Sequence, residues 1–144
     1  MSDSSEEVDE RTGLAKLTTD QSIELMTSIP IGRVVFIDDD QYPIASPVNY
    51  RWVDDSIVFR TLEGQKLHAI ALQRPVSFEV DRWDDATHTG ASVIVKGQAV
   101  HVTNWAEKEQ LEQLGLTPWA PHPWRQIWVR IIPEEITGRQ LTSQ

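Results

Sequence analysis

The sequence predicts a mainly β domain, an antiparallel barrel of six or seven strands with about three short helices. Short runs of β-branched and apolar residues alternate with acidic or glycine-containing turns, which is typical of strands. The connections between most of these runs are too short for a parallel crossover, so the sheet should be antiparallel. Because closure removes the exposed edges of such a sheet, we expect a barrel.

Turn and cap residues define the order of the elements. Thr18 and Gln21 have the spacing of a capping box, and Pro30 ends the helix that follows. Pro47 lies inside a strand and cannot donate to its ladder, so we expect it at an edge or a bulge. Gly97 should bend the longest strand. The predicted strands are 31–37, 43–53, 56–61, 75–81, 91–102, 126–132 and a short 136–139, and the predicted helices are 18–29, 66–72 and 104–114.

Composition indicates a soluble protein of one domain. The chain has 144 residues, a formal net charge of −9 and no cysteine. The absence of cysteine excludes disulfides, zinc–thiolate sites and thiol nucleophiles. A chain with this net charge lacks the basic surface that is typical of proteins that bind nucleic acid. No segment reaches the roughly 18 apolar residues that would cross a bilayer, so we expect a cytoplasmic location without membrane contact.

Acidic residues are concentrated at the N-terminus. The first twelve residues hold five acids and one base. We therefore expect residues 1–16 to be a disordered acidic tail, with a partner-binding arm as the alternative. Residues 17–144 should form the folded domain.

Arg60, Thr61 and Lys66 form the most informative candidate site. Gly64 permits a backbone conformation that other residues avoid, and Lys66 falls in the first turn of a predicted helix. Free N–H groups and the helix dipole attract an anion there. Arg60 could bind a phosphate in bidentate fashion, and Thr61 could donate its hydroxyl. The alternative is a solvated turn with ordinary surface bases.

Two other groups could contact a planar ligand. Ser46 and Asn49 flank Pro47, so a hydroxyl and an amide could reach the polar edge of a heterocycle; otherwise they are polar residues of an edge strand. Six tryptophans are present, and Trp124 and Trp128 lie near the C-terminus. An indole can stack on a flavin or a base, or it can fill a core or a dimer contact.

Other common catalytic patterns are absent from the sequence. The four histidines lack metal-binding spacing, and there is no His-Glu-x-x-His motif. Neither a Gly-x-Ser-x-Gly elbow nor a Gly-x-Gly-x-x-Gly fingerprint occurs. We expect no metal site, and no residue stands out as a general acid or base, so the catalytic residues stay unknown.

Several short motifs follow one another in a specific order between about Leu17 and Arg139. They are Gly32-Arg33-Val34-Val35-Phe36, Pro47-Val48-Asn49-Tyr50, Val58-Phe59-Arg60-Thr61, Gly64-x-Lys66-Leu67, Phe78-Glu79-Val80-Asp81 and Ile136-Thr137-Gly138-Arg139. In order and spacing they resemble the pyridoxamine 5′-phosphate oxidase-like family of FMN-binding split β-barrels, most of all its small actinobacterial-type members.

The resemblance implies a homodimer with two FMN sites at the subunit interface and hydride transfer through the flavin to an unknown substrate. It implies that Lys66 holds the phosphate and that Ser92 and the C-terminal tryptophans can come from the other subunit. The residues expected to bind the cofactor are Ser46, Pro47, Val48, Asn49, Phe59, Arg60, Thr61, Lys66, Ser92, Trp124 and Trp128.

Two departures from the family pattern limit what the resemblance implies. The C-terminus reads Ile136-Thr137-Gly138-Arg139-Gln140 and lacks the Trp-Gln-Gly and Arg-Leu-His-Asp-Arg patterns that bind the vitamer, so the vitamin B6 reaction is not supported. Many relatives have Gly-Trp-Ser where this chain has Gly90-Ala91-Ser92. The alternatives are a deazaflavin-dependent reductase, a non-enzymatic flavin or haem carrier, a stress-linked sensor and a dimerisation module with a degenerate site.

Overall fold

Six antiparallel strands close into a barrel, and a seventh strand is added beside β7. The protein is represented by a computed structural model that describes residues 7–62, 74–117 and 126–142. Within this part of the chain the elements are β1 (Ala15–Leu17), α1 (Thr19–Ser28), β2 (Ile31–Ile37), β3 (Pro43–Val53), β4 (Ser56–Leu62), β5 (Pro75–Asp84), β6 (Thr89–His101), α2 (Trp105–Glu112) and β7 (Gln126–Leu141).

The strand order confirms the predicted barrel. The sheet runs β1-β7-β4-β3-β2-β5-β6, and an additional β7–β6 pairing closes it. Every pairing is antiparallel. β7 is the strand on which the barrel closes, because it pairs with β4 through its first half and with β6 along most of its length.

Inward-facing side chains fill the barrel, and α1 covers one of its ends. Phe59, Phe78 and Ile131 are almost completely buried in this core. Met26 of α1 joins the same cluster. The hydroxyl of Tyr50 donates a 2.5 Å hydrogen bond to the Met26 carbonyl, and its ring meets Phe78 edge-on with centroids 4.7 Å apart. This contact fixes the C-terminal end of α1 on β3.

Both helices described by the structure begin at the predicted caps. The Thr18 side chain accepts from the Gln21 backbone, and the Gln21 side chain accepts from the Thr18 N–H, which completes the capping box. Asn104 caps α2 through the backbone N–H of Glu107 at 2.9 Å. The predicted helix 66–72 lies outside the described residues. No helix among the described residues is long and apolar enough to cross a membrane.

β7 differs from the prediction, which split it into strands 126–132 and 136–139. The strand runs without interruption through Pro133, and a bulge leaves Glu134 as an extra residue of β7 opposite the step from Lys96 to Gly97. Gly97 is required there, since a Cβ atom at this position would lie 2.2 Å from the Ile132 carbonyl oxygen. The sequence predicted a bend at Gly97, and the structure has a β7 bulge opposite this residue.

Residues just before position 17 form part of the sheet. Residues 15–17 pair with β7, and Val8 forms a bridge with Ala15. Asp9 is buried beneath this turn and lies 3.5 Å from the Nε of Arg139. The hydrogen bond from the Arg11 N–H lowers the pKa of Asp9. Composition could not reveal this arrangement, because Arg139, one of the two basic partners of Asp9, lies 130 residues away in the sequence.

Candidate functional site

The barrel opens between β3 and β4. These strands pair only from Tyr50 opposite Phe59 to Val53 opposite Ser56. Before Tyr50, β3 pairs with β2 alone, and beyond Phe59, β4 pairs with β7 alone. The segments 46–49 and 60–62 therefore border a gap in the sheet, and seven of the expected cofactor-binding residues lie on these segments or at Phe59 beside them.

Pro47 contributes to this opening. It lies opposite Arg33 of β2, and its other side faces the gap. Because proline has no N–H to donate, it fits the side of β3 that lacks a neighbouring strand. The prediction that Pro47 lies at an edge is confirmed, because β3 has a neighbouring strand on only one side at this residue.

The two faces of β3 carry different groups into the gap. Val48 is buried with Tyr50 in the barrel core, and by strand alternation Ser46 shares their face. Asn49 lies on the outer face, where its side-chain amide donates a 2.6 Å hydrogen bond to the carbonyl of Thr117. This bond ties β3 to the segment that follows α2.

The two faces of β4 separate Arg60 from Thr61. Phe59 belongs to the barrel core, whereas Val58 belongs to a second cluster beneath α2. Alternation therefore places Thr61 on the inner face and Arg60 on the outer face. The sequence analysis grouped both residues at one phosphate, but β4 continues to Leu62 and directs them to opposite sides of the sheet.

On the outer face, Arg60 lies against Trp128 of β7. The two residues are directly opposite in the β4–β7 pairing, and the guanidinium carbon is 5.2 Å from the centre of the indole ring. Stacking on an aromatic face suits the planar guanidinium. Trp128 is therefore a buried support for Arg60 within one chain, packed in the cluster beneath α2.

Glu112, at the end of α2, contacts both members of this pair. Its Oε2 accepts a 2.7 Å hydrogen bond from the indole N–H of Trp128. Its Oε1 lies 3.6 Å from Nη1 of Arg60. The sequence analysis missed Glu112, since a carboxylate on an exposed helix face reads as solvated charge. The indole N–H of a buried tryptophan, which needs an acceptor, was the available signal.

The Nε–H of Arg60 is buried and has no hydrogen-bond partner in the part of the chain that the structure describes. Buried polar groups are nearly always paired with protein, water or a ligand. An acceptor atom of a bound molecule would satisfy this donor. The site therefore fits a cofactor that presents an oxygen or nitrogen acceptor beside β4.

A second ion pair holds α2 over this face. Arg130 of β7 donates from Nε and Nη2 to Oε1 of Glu107, at 3.1 and 2.8 Å. Its Nη1 donates to the Val53 carbonyl at 3.2 Å and also to the Ser56 hydroxyl. Only 14% of the Arg130 side chain is exposed, so this network is shielded from water. It fixes the helix that carries Glu112.

A charged cluster lies on the outer face beside the opening. Arg33, which is opposite Pro47, donates from Nε to Glu79 at 2.9 Å and from Nη2 to Asp81 at 2.9 Å. The hydrogen bond to Glu79 raises the pKa of Arg33. Burial raises the pKa of Glu79, and the bond from Arg33 opposes this shift. The positive charge of Arg33 next to Pro47 is therefore paired with the carboxylates of Glu79 and Asp81.

The remaining expected site residues do not meet at the opening within one chain. Ser92 lies on β6, opposite Asp81 of β5 and Arg139 of β7, and β6 pairs with neither β3 nor β4. Its assignment to the partner subunit stays a prediction. Lys66 and Trp124 lie outside the described residues. Among the described residues no group of three or more His, Cys, Asp or Glu could hold a metal ion.

A family model decides the relationship of this chain to known proteins. The model described as pyridoxamine 5′-phosphate oxidase matches residues 18–140. The chain belongs to this family. The match spans the whole barrel from the cap of α1 to the end of β7, so the resemblance found in the motifs is confirmed.

Relatives of this family member include mycobacterial proteins without an assigned function. The uncharacterised protein Rv0080 of Mycobacterium tuberculosis is 30% identical over 136 residues, which cover 90% of this chain and 87% of the relative. The uncharacterised protein Rv3129 of the same organism is 42% identical over 84 residues, which cover 58% of this chain and 74% of that protein.

Solved structures of related proteins share the fold. A Corynebacterium glutamicum protein provisionally named pyridoxamine 5′-phosphate oxidase is 35% identical, with a TM-score of 0.78 over 90% of this chain and 98% of its own. A Mycobacterium smegmatis protein described as FAD-binding is 33% identical, with a TM-score of 0.71 over 88% of this chain and 98% of its own. This chain is similar to both structures over most of its length.

Proposed function

We propose that this protein is a flavoprotein that binds FMN noncovalently at the opening between β3 and β4. The buried Nε–H of Arg60, which lacks a partner among the described residues, supports this proposal most directly. Family membership and the FAD-binding relative support it as well. The opening lies where the motifs of the resemblance meet, at Asn49 and Arg60.

The same proposal gives the site residues distinct tasks. When bound, FMN supplies hydride transfer at its N5 atom. Lys66 binds the phosphate, as the resemblance implies, and Thr61 donates its hydroxyl, as the sequence pattern predicts. Residues 46–49 line the ring, and Trp128 keeps the side chain of Arg60 extended beside it. Because no described side chain is placed as a general acid or base, the chain's own contribution is binding, orientation and exclusion of water.

We further propose a homodimer, located in the cytoplasm, in which each subunit completes the other's site. Outward-facing apolar side chains on the barrel support an interface: Ile94 is 44% exposed on β6, and Ile132 is 48% exposed on β7. Ile31 and Ile37 of β2 are exposed on their outer face too. A partner that covers this surface would bring a second copy of Ser92 to the flavin, as the resemblance implies.

The name of the M. smegmatis relative favours FAD as the second candidate cofactor. Release of the cofactor by heat, followed by mass spectrometry, distinguishes FMN, FAD and deazaflavin. Turnover with reduced nicotinamide and a generic electron acceptor tests the enzymatic part of the proposal. Tight flavin binding without turnover in an acceptor screen would favour a flavin carrier over an oxidoreductase.

A further inference from the structure

We propose that the cavity between α1 and the ends of strands β5, β6 and β7 binds a small zwitterion, a molecule of amino-acid size that carries both a carboxylate and an ammonium group. The cavity has a volume of about 260 Å³. None of the residues that line it belongs to the opening between β3 and β4, so this inference stands independently of the proposed flavin site. Its support comes from the floor of the cavity, from the helix face above it and from two charges at its rim.

Ala91 forms the floor of the cavity, because it is the smallest residue of a row that crosses three strands. It lies opposite Arg82 of β5 and opposite Gln140 of β7. Neighbouring strands are about 4.8 Å apart, so Arg82 and Gln140 are separated by roughly 10 Å with only a methyl group between them. Ala91 shares the inner face with Val93 and is 8% exposed. The row therefore leaves a space that a larger side chain at position 91 would fill.

The opposite wall of the cavity is one face of α1. Gln21, Glu24 and Leu25 have the spacing of neighbours on a helix surface, and all three line the cavity. Leu25 is only 6% exposed, so this wall is apolar next to the floor. The side-chain oxygen of Gln21 accepts from the Thr18 N–H. This bond fixes the Gln21 side chain and leaves its amide nitrogen as a donor at the rim.

Arg82 and Glu24 place opposite charges on two sides of the same cavity. Both residues are exposed, and in the part of the chain that the structure describes neither side chain forms a hydrogen bond or an ion pair. Arg33 and Arg130, by contrast, bind carboxylates directly. A single ligand that carries both charges would pair with Arg82 and Glu24 at once.

The two charges favour a zwitterion over a simple ion. A carboxylate can bind Arg82 through two parallel N–H groups, but a ligand with only this charge would also face the carboxylate of Glu24. A simple cation would likewise face Arg82. An ammonium group at Glu24 removes the conflict, and the side-chain amide of Gln140 can donate to the carboxylate or accept from the ammonium group. Leu25 and Ala91 then contact an apolar side chain.

The volume of the cavity limits the size of its occupant. Pockets for drug-sized ligands begin at roughly 300 Å³, and a water molecule takes about 30 Å³ in the liquid. A volume of about 260 Å³ therefore suits a molecule with roughly as many non-hydrogen atoms as eight or nine waters. L-Leucine is of this size and combines both charges with an apolar side chain.

The test is an NMR titration of the full-length, ¹⁵N-labelled protein with L-leucine. We expect saturable shifts at residues 21–28, Arg82, Ala91 and Gln140, with a dissociation constant in the millimolar range. Two analogues each remove one charge: 4-methylpentanoate lacks the ammonium group, and 3-methylbutylamine lacks the carboxylate. Each should bind roughly tenfold more weakly, the equivalent of one charged hydrogen bond. Absence of saturable shifts at these residues would overturn the proposal, and so would an analogue that binds as tightly as L-leucine.

Variants test the residues one at a time. Arg82→Met and Glu24→Gln should each weaken L-leucine binding roughly tenfold. Arg51→Met and Glu109→Gln, at exposed positions outside the cavity, are the matched controls and should leave it unchanged. Ala91→Leu fills the floor, so binding should be lost while the melting temperature stays equal or rises. Undiminished binding in Arg82→Met and Glu24→Gln, which do not alter the core, would identify both residues as ordinary surface charges and refute the site.

Discussion

Consecutive residues of a strand point to opposite faces, and this rule separates Arg60 from Thr61 in the candidate site. The sequence analysis placed both residues at the end of the strand 56–61 and grouped them with Lys66 at one phosphate. β4 extends to Leu62, which makes alternation the deciding factor.

Lys66→Ala tests the phosphate contact that the motif predicts. We expect FMN affinity to fall by about 1.5–3 kcal/mol, the range for a hydrogen bond to a charged group, without loss of the fold. Riboflavin affinity should change little. Isothermal titration calorimetry measures both values, and Lys96→Ala is the matched control because Lys96 is an exposed lysine on β6. Equal FMN affinity in wild type and Lys66→Ala would remove Lys66 from the site.

Tyr50→Phe tests the contact between α1 and β3. The variant loses the hydrogen bond to the Met26 carbonyl, so the free energy of unfolding at pH 7 should fall by about 1 kcal/mol. Chemical denaturation measures this change. Tyr42→Phe, at an exposed position, should leave it unchanged.

The same tyrosine gives a pH dependence with a definite sign. Burial raises the pKa of Tyr50 above its ordinary value of 10.0. Its contribution to stability is therefore complete below pH 10.0 and decreases as the pH rises from there toward the folded-state pKa, because the unfolded state releases the proton first. Tyr50→Phe should lose less stability than wild type above pH 10.0. Parallel alkaline unfolding profiles would contradict this account.

At the scale of elements, the sequence predicted the strands that carry local signals. Caps, acidic turns and β-branched runs located α1, α2 and the start of each barrel strand except β6, which begins at Thr89 instead of Ala91. The sequence did not predict the continuity of β7 through Pro133, since this continuity depends on pairing with β6, far away in the chain. It also ended β5 at Asp81, although the pairing continues to Asp84 opposite Thr89 through three exposed residues.

Helix α2 depends on polar contacts because its apolar contribution is small. Leu111 is its only buried residue, while Glu107 and Glu112 bind Arg130 and Trp128 of β7. These partners could not be paired from the sequence, because the acids and their partners lie on different elements. The polar contacts make α2 the element through which the outer face of the site is held together.

Arg130→Met should loosen α2. The variant loses hydrogen bonds to Glu107, Val53 and Ser56, so we expect a loss of roughly 2 kcal/mol in the free energy of unfolding. Hydrogen exchange should increase in residues 105–112 before it does in the barrel. Lys108→Met, an exposed change on the same helix, is the control. Unchanged exchange in α2 would show that the helix is held by its apolar contacts instead.

At the scale of the molecule, closure of the barrel followed from short connections between many strands. The gap between β3 and β4 could not be predicted in this way, since only the strand pairing shows where the two strands separate. The sequence placed Pro47 at an edge, and this edge borders the gap. The location of the candidate site was thus predictable from motifs, whereas the faces and partners of its side chains required the structure.

The outward apolar surface predicts a dimer in solution. Multi-angle light scattering should give about twice the chain mass of 16.4 kDa. Ile94→Glu should shift the protein toward the monomer and weaken flavin binding, because a charge would be buried at the interface. Trp105→Glu is the control, since Trp105 is 74% exposed on α2 rather than on this surface. A monomeric wild-type protein that binds flavin normally would contradict the shared site.

The central claim is that this barrel holds a flavin at the opening between β3 and β4. The absorption spectrum of the purified protein between about 300 and 600 nm, followed by titration with FMN, tests it most directly. We predict flavin bands in the purified protein, or saturable binding with a dissociation constant in the micromolar range, about −8 kcal/mol. A colourless protein that does not bind FMN, FAD or riboflavin would contradict the claim.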